Sequence, residues 1–300
     1  MMRPYRSLLF VPGHKGDWVE KALRARPDAL ILDLEDAVPA GEKEAARAVV
    51  ADSIRRVRAA GHDVGLLVRP NGWTTGLAGF DLDAVVVDGL DGLLLPKVDS
   101  PEDVVRFDAL VGHFERRSSI APGTVELLAT LETAPALVAC DRIAAAAPRM
   151  AGLLGSTARD GDVVAALGYE WTAEGLETLY LRSRVVLGTR AAGLDYPVCG
   201  LWQELRDLDG LREFAAGNRR LGFRGQVVIH PSHVPVVNDV FAPDPAELAR
   251  FAALVAAFEE AERRGDGAVV FGGEHIDAAH ANRARQALAF AARLDQGADS

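Results

Sequence analysis

The chain has 300 residues, with 33 Lys and Arg against 43 Asp and Glu and a formal charge of −10. That excess of acid argues against a protein that grips a nucleic-acid backbone or an anionic membrane, since both demand a basic face; a local basic pocket for one phosphorylated ligand is not excluded. Hydrophobic residues make up 49% and charged residues 25%, a globular composition rather than a disordered or fibrous one.

The basic residues are almost all arginine. Lysine occurs only at Lys15, Lys21, Lys43 and Lys97, so any lysine-dependent chemistry has few candidates. Cys140 and Cys199 lie far apart without CxxC spacing, which indicates neither a disulfide framework nor a zinc site. The apolar run after Met1–Arg6 is too short for a signal-peptide core, and no stretch reaches the ~18 apolar residues of a membrane span. A cytoplasmic protein is expected.

Short β-branched runs alternate with longer amphipathic ones. The strand expectations are Ser7–Pro12, Ala29–Leu34, Val64–Arg69, Gly92–Val98, Val125–Leu131, Met150–Gly155, Val198–Trp202 and Gln226–His230. Between them, helices are expected over Lys43–Ala60, Pro101–Phe114, Pro135–Ala147, Ala173–Ala192 and Leu208–Leu221. Eight strand signals with intervening helices predict a closed (β/α)8 TIM barrel, with an open doubly wound sheet as the alternative. Pro12-Gly13-His14-Lys15-Gly16 lacks the GxGxxG spacing of a dinucleotide fingerprint. After His230 come a turn-rich passage (Asn238–Pro245), a helix (Ala246–Arg264), a hairpin-like stretch (Gly265–Gly273) and a last helix from about Asp277 to Leu294. The expected domains are residues 1–240 as the catalytic barrel and 241–300 as a small C-terminal lid or oligomerisation segment.

Chemistry in such a barrel gathers where the strands end at one mouth. The strand ends carry Asp33-Leu34-Glu35-Asp36, Arg69-Pro70-Asn71, Pro96-Lys97, Glu132-Thr133, the Asp160/Asp162 segment and His230. Glu132 and an Asp of the next loop offer hard oxygen ligands suited to Mg2+ or Mn2+; the competing reading is a pair of helix caps or salt-bridge partners. Arg69 can clamp a carboxylate at two points or pair with Glu35 or Asp36. Lys97 is placed like the lysine of a Schiff-base aldolase, though a solvated or carboxylate-paired lysine is the better-supported reading. His230 reads better as a buried histidine with both nitrogens satisfied than as a catalytic group. Trp18, Trp73, Trp171 and Trp202 read as packing.

Several segments in order carry a resemblance: Arg6–Gly13, Leu30–Val38 with Lys43 and Arg47 following, Arg69-Pro70-Asn71, Leu95–Val98, Glu132-Thr133-Ala134, Gly225–Pro231 and the C-terminal Glu274–Asp277. Together they resemble the HpcH/HpaI aldolase and citrate lyase β-subunit superfamily, in its CoA-ester lyase branch. The resemblance spans nearly the whole chain. It implies a (β/α)8 barrel, Mg2+ dependence, and reversible carbon–carbon cleavage of a 3-hydroxyacyl-CoA into an acyl-CoA and a 2-oxo acid. It also implies a homotrimer or hexamer whose C-terminal lid closes over a neighbouring subunit's site. Carried over by position, Glu132 and Asp162 become the metal ligands, with Asp160 the alternative to Asp162. Arg69 becomes the oxo-acid carboxylate binder, with Glu132 and Lys97 also facing substrate. Asp33, Glu35, Asp36 and Lys43 form the polar network beside the metal, and Asp277 is the acid/base residue of the lid. The chain departs from the pattern in its longer Gly155–Gly161 loop and in a seventh strand without the usual acid. Two other functions stay open: a metal-dependent aldolase for free 4-hydroxy-2-oxo acids, and an accessory non-catalytic subunit of a lyase complex.

Overall fold

In the computed structural model, which describes residues 3–295, the short apolar runs pair in parallel, each with the next. The elements run β1 (Ser7–Pro12), α1 (Gly16–Leu23), β2 (Ala29–Asp33), α2 (Lys43–Ala59), β3 (Gly65–Arg69), α3 (Ala78–Val85), β4 (Gly92–Leu95) and α4 (Pro101–Arg117). They continue through β5 (Glu126–Leu131), α5 (Ala134–Val138), α6 (Cys140–Ala144), β6 (Met150–Gly155), α7 (Asp162–Leu167), α8 (Leu179–Ala191), β7 (Val198–Cys199), α9 (Leu208–Leu221), β8 (Gly225–Val228) and α10 (His233–Phe241). Because β1 pairs with both β2 and β8, the eight strands close into a (β/α)8 barrel. Parallel neighbours cannot be joined by tight turns, and the helical segments supply the crossovers.

Successive residues of a strand face opposite sides, and here both sides are apolar. Leu8, Ile31, Leu67, Leu94, Leu128 and Val227 form a cluster of their own with Tyr5 and Tyr196, filling the barrel interior. Leu9, Leu30, Leu32, Val68 and Leu95 instead pack with Val50, Ile54, Leu82, Phe107 and Leu211 of the helices. Following the interior rows in steps of two leads from Ile31 to Asp33 and Glu35, from Leu67 to Arg69, and from Leu128 to Thr130 and Glu132. Strand periodicity alone therefore delivers these polar side chains to the mouth.

Several expected elements change. The run expected over Pro135–Ala147 is two short helices that meet at Ala139, and α8 starts at Leu179 rather than Ala173. The strands expected over Val198–Trp202 and Gln226–His230 shorten to β7 and β8. The helices α1, α3, α7 and α10 carried too few turns to stand out. Pro235 lies in the first turn of α10, where a missing N–H costs nothing, so the supposed turn region around Asn238 is helical.

The chain divides into two compact units, Met1–Phe241 and Ala242–Ser300. The second has its own core of Phe251, Leu254, Phe258, Ile276, Ala281 and Ala284. It contains α11 (Pro245–Arg263), an antiparallel pair β9 (Ala268–Phe271) and β10 (Glu274–Asp277), and α12 (Ala278–Asp295). Gly272 and Gly273 have φ of 58° and 84°, the doubly left-handed geometry of a two-residue hairpin loop. Asp277 ends β10 and directly precedes α12. Cys140 and Cys199 are both buried and form no disulfide. Among the described residues no helix is long and apolar enough to cross a membrane.

Candidate active site

Strand register sets Asp33 directly beside Arg69. Arg69 Nε donates to Asp33 Oδ1 at 2.7 Å and Nη2 donates to Oδ2 at 2.6 Å, a two-point grip on a fully buried carboxylate. Nη1 lies 3.1 Å from Glu35 Oε2 and 3.9 Å from Asp36 Oδ2, and the guanidinium sits 4.9 Å from the Phe10 ring centroid. Burial alone would lower the Arg69 pKa; Asp33, then Glu35 and Asp36, outweigh it and raise it instead. Arg69 is thus a permanent cation whose pairing with the acids is led by Asp33. The loop after β1 closes over this pair. Gly13 N–H donates to Asp33 O at 2.7 Å, and a Cβ at Gly13 would come within 2.5 Å of that oxygen, so a side chain would push the loop away.

Glu35 is buried against two cations. Lys97 Nζ lies 2.9 Å from Glu35 Oε1 and 3.3 Å from Asp36 Oδ1. Burial would lower the lysine pKa, but the hydrogen bond and charge of Glu35 and the charge of Asp36 raise it, so the ammonium stays protonated. A Schiff-base lysine must lose that proton, and the grip of two carboxylates opposes it. Lys97 also takes a left-handed φ of 48°, a strained conformation for a side-chain-bearing residue. Burial, with some help from Asp36, pushes the Glu35 carboxyl up despite Arg69 and Lys97. Lys43 donates to Leu34 O, Glu35 O and Asn71 Oδ1 at 2.9, 2.9 and 2.7 Å, using all three of its N–H groups. It braces the backbone behind the site.

Glu132 is 8% exposed and accepts one N–H, from Lys97 at 2.9 Å. Its pKa is pushed up to about 7 by burial, which outweighs the Lys97 N–H; the charges of Glu35 and Asp162 add to the rise and Arg69 opposes it. Asp162 is the exposed first residue of α7. Asp160, also exposed, has a φ of 57° and lies 3.6 Å from Arg159. Among the described residues no group of three or more His, Cys, Asp and Glu encloses a metal position. Mg2+ does not require one: it keeps several waters and is commonly held by one or two carboxylates plus substrate oxygens. Glu132 and Asp162 supply donors of that kind, hard carboxylate oxygens close enough for the Asp162 charge to act on Glu132.

A cavity of about 570 Å3 opens at this mouth, walled by Phe10, Val11, Trp18, Ala22, Leu201 and Ile229 and reaching Asp33, Arg69, Lys21 and His230. Two expectations need correction here. Trp18 is 47% exposed and lines the cavity instead of packing in the core, whereas Trp171 and Trp202 do pack, with ring centroids 5.9 Å apart. His230 is exposed, with Nδ1 2.7 Å from Ser232 Oγ; the buried histidine is His233, whose pKa burial lowers. In the second unit, Asp277 Oδ1 lies 2.6 Å from His280 Nδ1 and accepts the N–H of Ala279 at 3.0 Å, capping α12. The hydrogen bond from His280 lowers its pKa. The sequence reading missed Asp81, which shares the short helix α3 with a second acid, Asp83, and so gave no signal of its own, and it gave Asn71 no role of its own.

The geometry can be set beside known proteins. Residues 6–231 match the family model described as HpcH/HpaI aldolase/citrate lyase. The chain is 36% identical over 286 residues to a (3S)-malyl-CoA thioesterase of Cereibacter sphaeroides, covering 95% of this chain and 94% of that one. It is 31% identical to the citrate lyase subunit beta of Haemophilus influenzae, covering 96% and 97%. Among solved structures, CitE of Mycobacterium tuberculosis in complex with magnesium, acetoacetate and coenzyme A matches with a TM-score of 0.70 and 29% identity, over 95% of this chain and 97% of that one. The closed barrel, the acid-rich mouth and these full-length similarities lead to one conclusion: the chain belongs to the HpcH/HpaI aldolase/citrate lyase family and is an enzyme of the lyase type.

Proposed function

We propose that the protein is a Mg2+-dependent carbon–carbon lyase that cleaves a 3-hydroxyacyl-CoA into an acyl-CoA and a 2-oxo acid, or runs the reverse Claisen-type condensation. The observation that carries this reading is Glu132, a buried carboxyl at the mouth whose pKa is raised to about 7 beside further acids. Names of relatives support the substrate class: malyl-CoA in one, citrate in another, and magnesium, acetoacetate and coenzyme A in a structural neighbour.

Glu132 and Asp162 would hold the ion, which when bound supplies Lewis-acid stabilisation of negative charge developing on the substrate oxygen. Arg69, held by Asp33, would orient the oxo-acid carboxylate through its remaining N–H groups, with Lys97 as a second cation near the fragment. Glu35 and Asp36 would balance those two cations, and Lys43 would hold the loop that carries them. In the cleavage direction the 3-hydroxyl passes its proton to solvent water as the C2–C3 bond breaks. The electron pair stays on C2 as the thioester enolate, which takes up a proton to give the acyl-CoA. Asp277 would carry that α-proton; its hydrogen bond with His280 keeps the carboxylate ionised and so available as a base for condensation. A homotrimer or hexamer, with Asp277 serving a neighbouring subunit, belongs to the same proposal.

The test is the purified chain incubated with a panel of CoA thioesters and glyoxylate, pyruvate or oxaloacetate, read by mass spectrometry. A new hydroxyacyl-CoA that forms only with Mg2+ is expected, and full turnover in EDTA would overturn the metal assignment. The 36% identical relative is named a thioesterase, which favours hydrolysis as a second reading; free hydroxy acid and CoA in the same assay would reveal it. Titration with acetyl-CoA separates both from an aldolase of free oxo acids. No turnover by the purified chain alone would instead indicate an accessory subunit.

A further inference from the structure

Asp81, on α3, is fully buried and lies away from the mouth cavity. Its Oδ1 accepts Arg47 Nε at 2.7 Å. Its Oδ2 accepts both Asn71 N at 2.8 Å and Asn71 Nδ2 at 2.6 Å. Asn71 Nδ2 also donates to Leu34 O at 3.0 Å, and Asn71 Oδ1 accepts Lys43 Nζ at 2.7 Å. Lys43 closes the chain of contacts on Leu34 O and Glu35 O, both at 2.9 Å. The network is directional. Asp81 offers only acceptors, which sets the Asn71 amide with its NH2 toward Asp81 and its oxygen toward Lys43. That choice lets Lys43 reach the two carbonyls that follow β2.

We propose that Asp81 and Arg47 are positioning residues: through Asn71 and Lys43 they fix the Leu34–Glu35 backbone, and so hold Glu35 between Arg69 and Lys97. The consequence for turnover rests on the lyase reading above; the consequence for the loop does not. Glu35 Oε2 is 3.1 Å from Arg69 Nη1 and Oε1 is 2.9 Å from Lys97 Nζ, so a shift of the loop by an ångström would unseat both contacts. A buried ion pair that served stability alone would have no need to terminate on the backbone of the site loop.

Asp81→Asn keeps the shape but sets an NH2 against a donor on one side, either Arg47 or Asn71. Two measurements test the proposal. In hydrogen exchange, the amides of Glu35 to Ala37 should lose protection at least tenfold in Asp81→Asn, while those of β6 keep theirs. In turnover, kcat should fall 10- to 100-fold with KM changed less than threefold, the range seen when an outer residue loses its hold on a site group. The same substitution placed on Glu35→Gln should lower kcat less than twofold further, because the group it positions is already gone. If Asp81→Asn does not fold, Arg47→Lys keeps the charge with poorer geometry and should show a smaller loss with the same non-additivity. Unchanged loop exchange in a folded variant, or losses that multiply with those of Glu35→Gln, would overturn the proposal. Because exchange needs no substrate, its outcome stands apart from the lyase reading, which fails instead if the wild-type chain has no turnover.

Discussion

Two buried glutamates teach opposite lessons. Glu115, on α4 at the N-terminal end of the barrel, is fully buried and accepts four hydrogen bonds. Arg149 Nη1 and Nη2 reach it at 2.8 and 3.0 Å, and the N–H groups of Val125 and Gly123 at 2.9 and 3.0 Å. Burial pushes its pKa up, yet these partners outweigh burial and hold it below the usual carboxylate range. Glu132, at the C-terminal mouth, accepts a single backbone N–H and faces other acids, so its pKa rises to about 7. The same residue type is held ionised where partners match its charge and is pushed toward its protonated form where burial is opposed by a single N–H and a more distant cation. That contrast matches the division of such barrels into a stabilising face and a working face.

The contrast can be broken or sharpened. Glu132→Gln should lower Mg2+-dependent turnover by about 1,000-fold while the protein still folds, as checked by steady-state kinetics beside far-UV circular dichroism. Wild-type rates would remove Glu132 from the chemistry. Glu115→Ala should do the reverse, destabilising the fold by about 3–5 kcal/mol in urea unfolding by leaving Arg149 buried without its main partner, with kcat unchanged. Asp162→Asn should weaken Mg2+ binding about tenfold or more by calorimetry, whereas Asp160→Asn should change it less than twofold. Equal effects would return Asp160 to the candidate ligands.

The smallest expected effect is on pH dependence. The folded-state pKa of Glu132, about 7, lies above the ordinary 4.5, so between those values the folded metal-free protein binds the proton that the unfolded chain has released. The contribution of this group to stability is therefore fully present below pH 4.5 and is lost as pH rises through 7. Unfolding titrations should show this slope in the metal-free wild type and not in Glu132→Gln. Above pH 7 the ionised carboxylate binds cation best, so Mg2+ should stabilise more there than at pH 5.5. A Mg2+ effect independent of pH would dissociate the cation from Glu132.

Much of the molecule was legible before folding was considered. Continuous apolar runs such as Leu30-Ile31-Leu32 announce strands buried on both faces, and the helical stretches between them demand parallel pairing. The end of each run then locates the mouth, which is how Asp33, Glu35, Arg69, Lys97 and Glu132 could all be named in advance. Short helices and single contacts were not legible. The helix α3 has only eight residues, too few for its period to show, and Asp81 within it looked like any surface acid. His230 and His233 are three residues apart; the sequence reading took His230 as buried, and the structure exposes it and buries His233, which that reading did not consider.

By itself, then, the sequence determined the barrel, its working end and the residue types gathered there, because strand periodicity is local and repeats along the chain. Only the tertiary structure decided how those charges pair. It set Asp33 under Arg69, put Glu35 between two cations and left Glu132 with one N–H, and it ran a line of hydrogen bonds from Asp81 to the site loop. Pairing depends on distances between residues tens of positions apart, and those distances exist only once the barrel has closed.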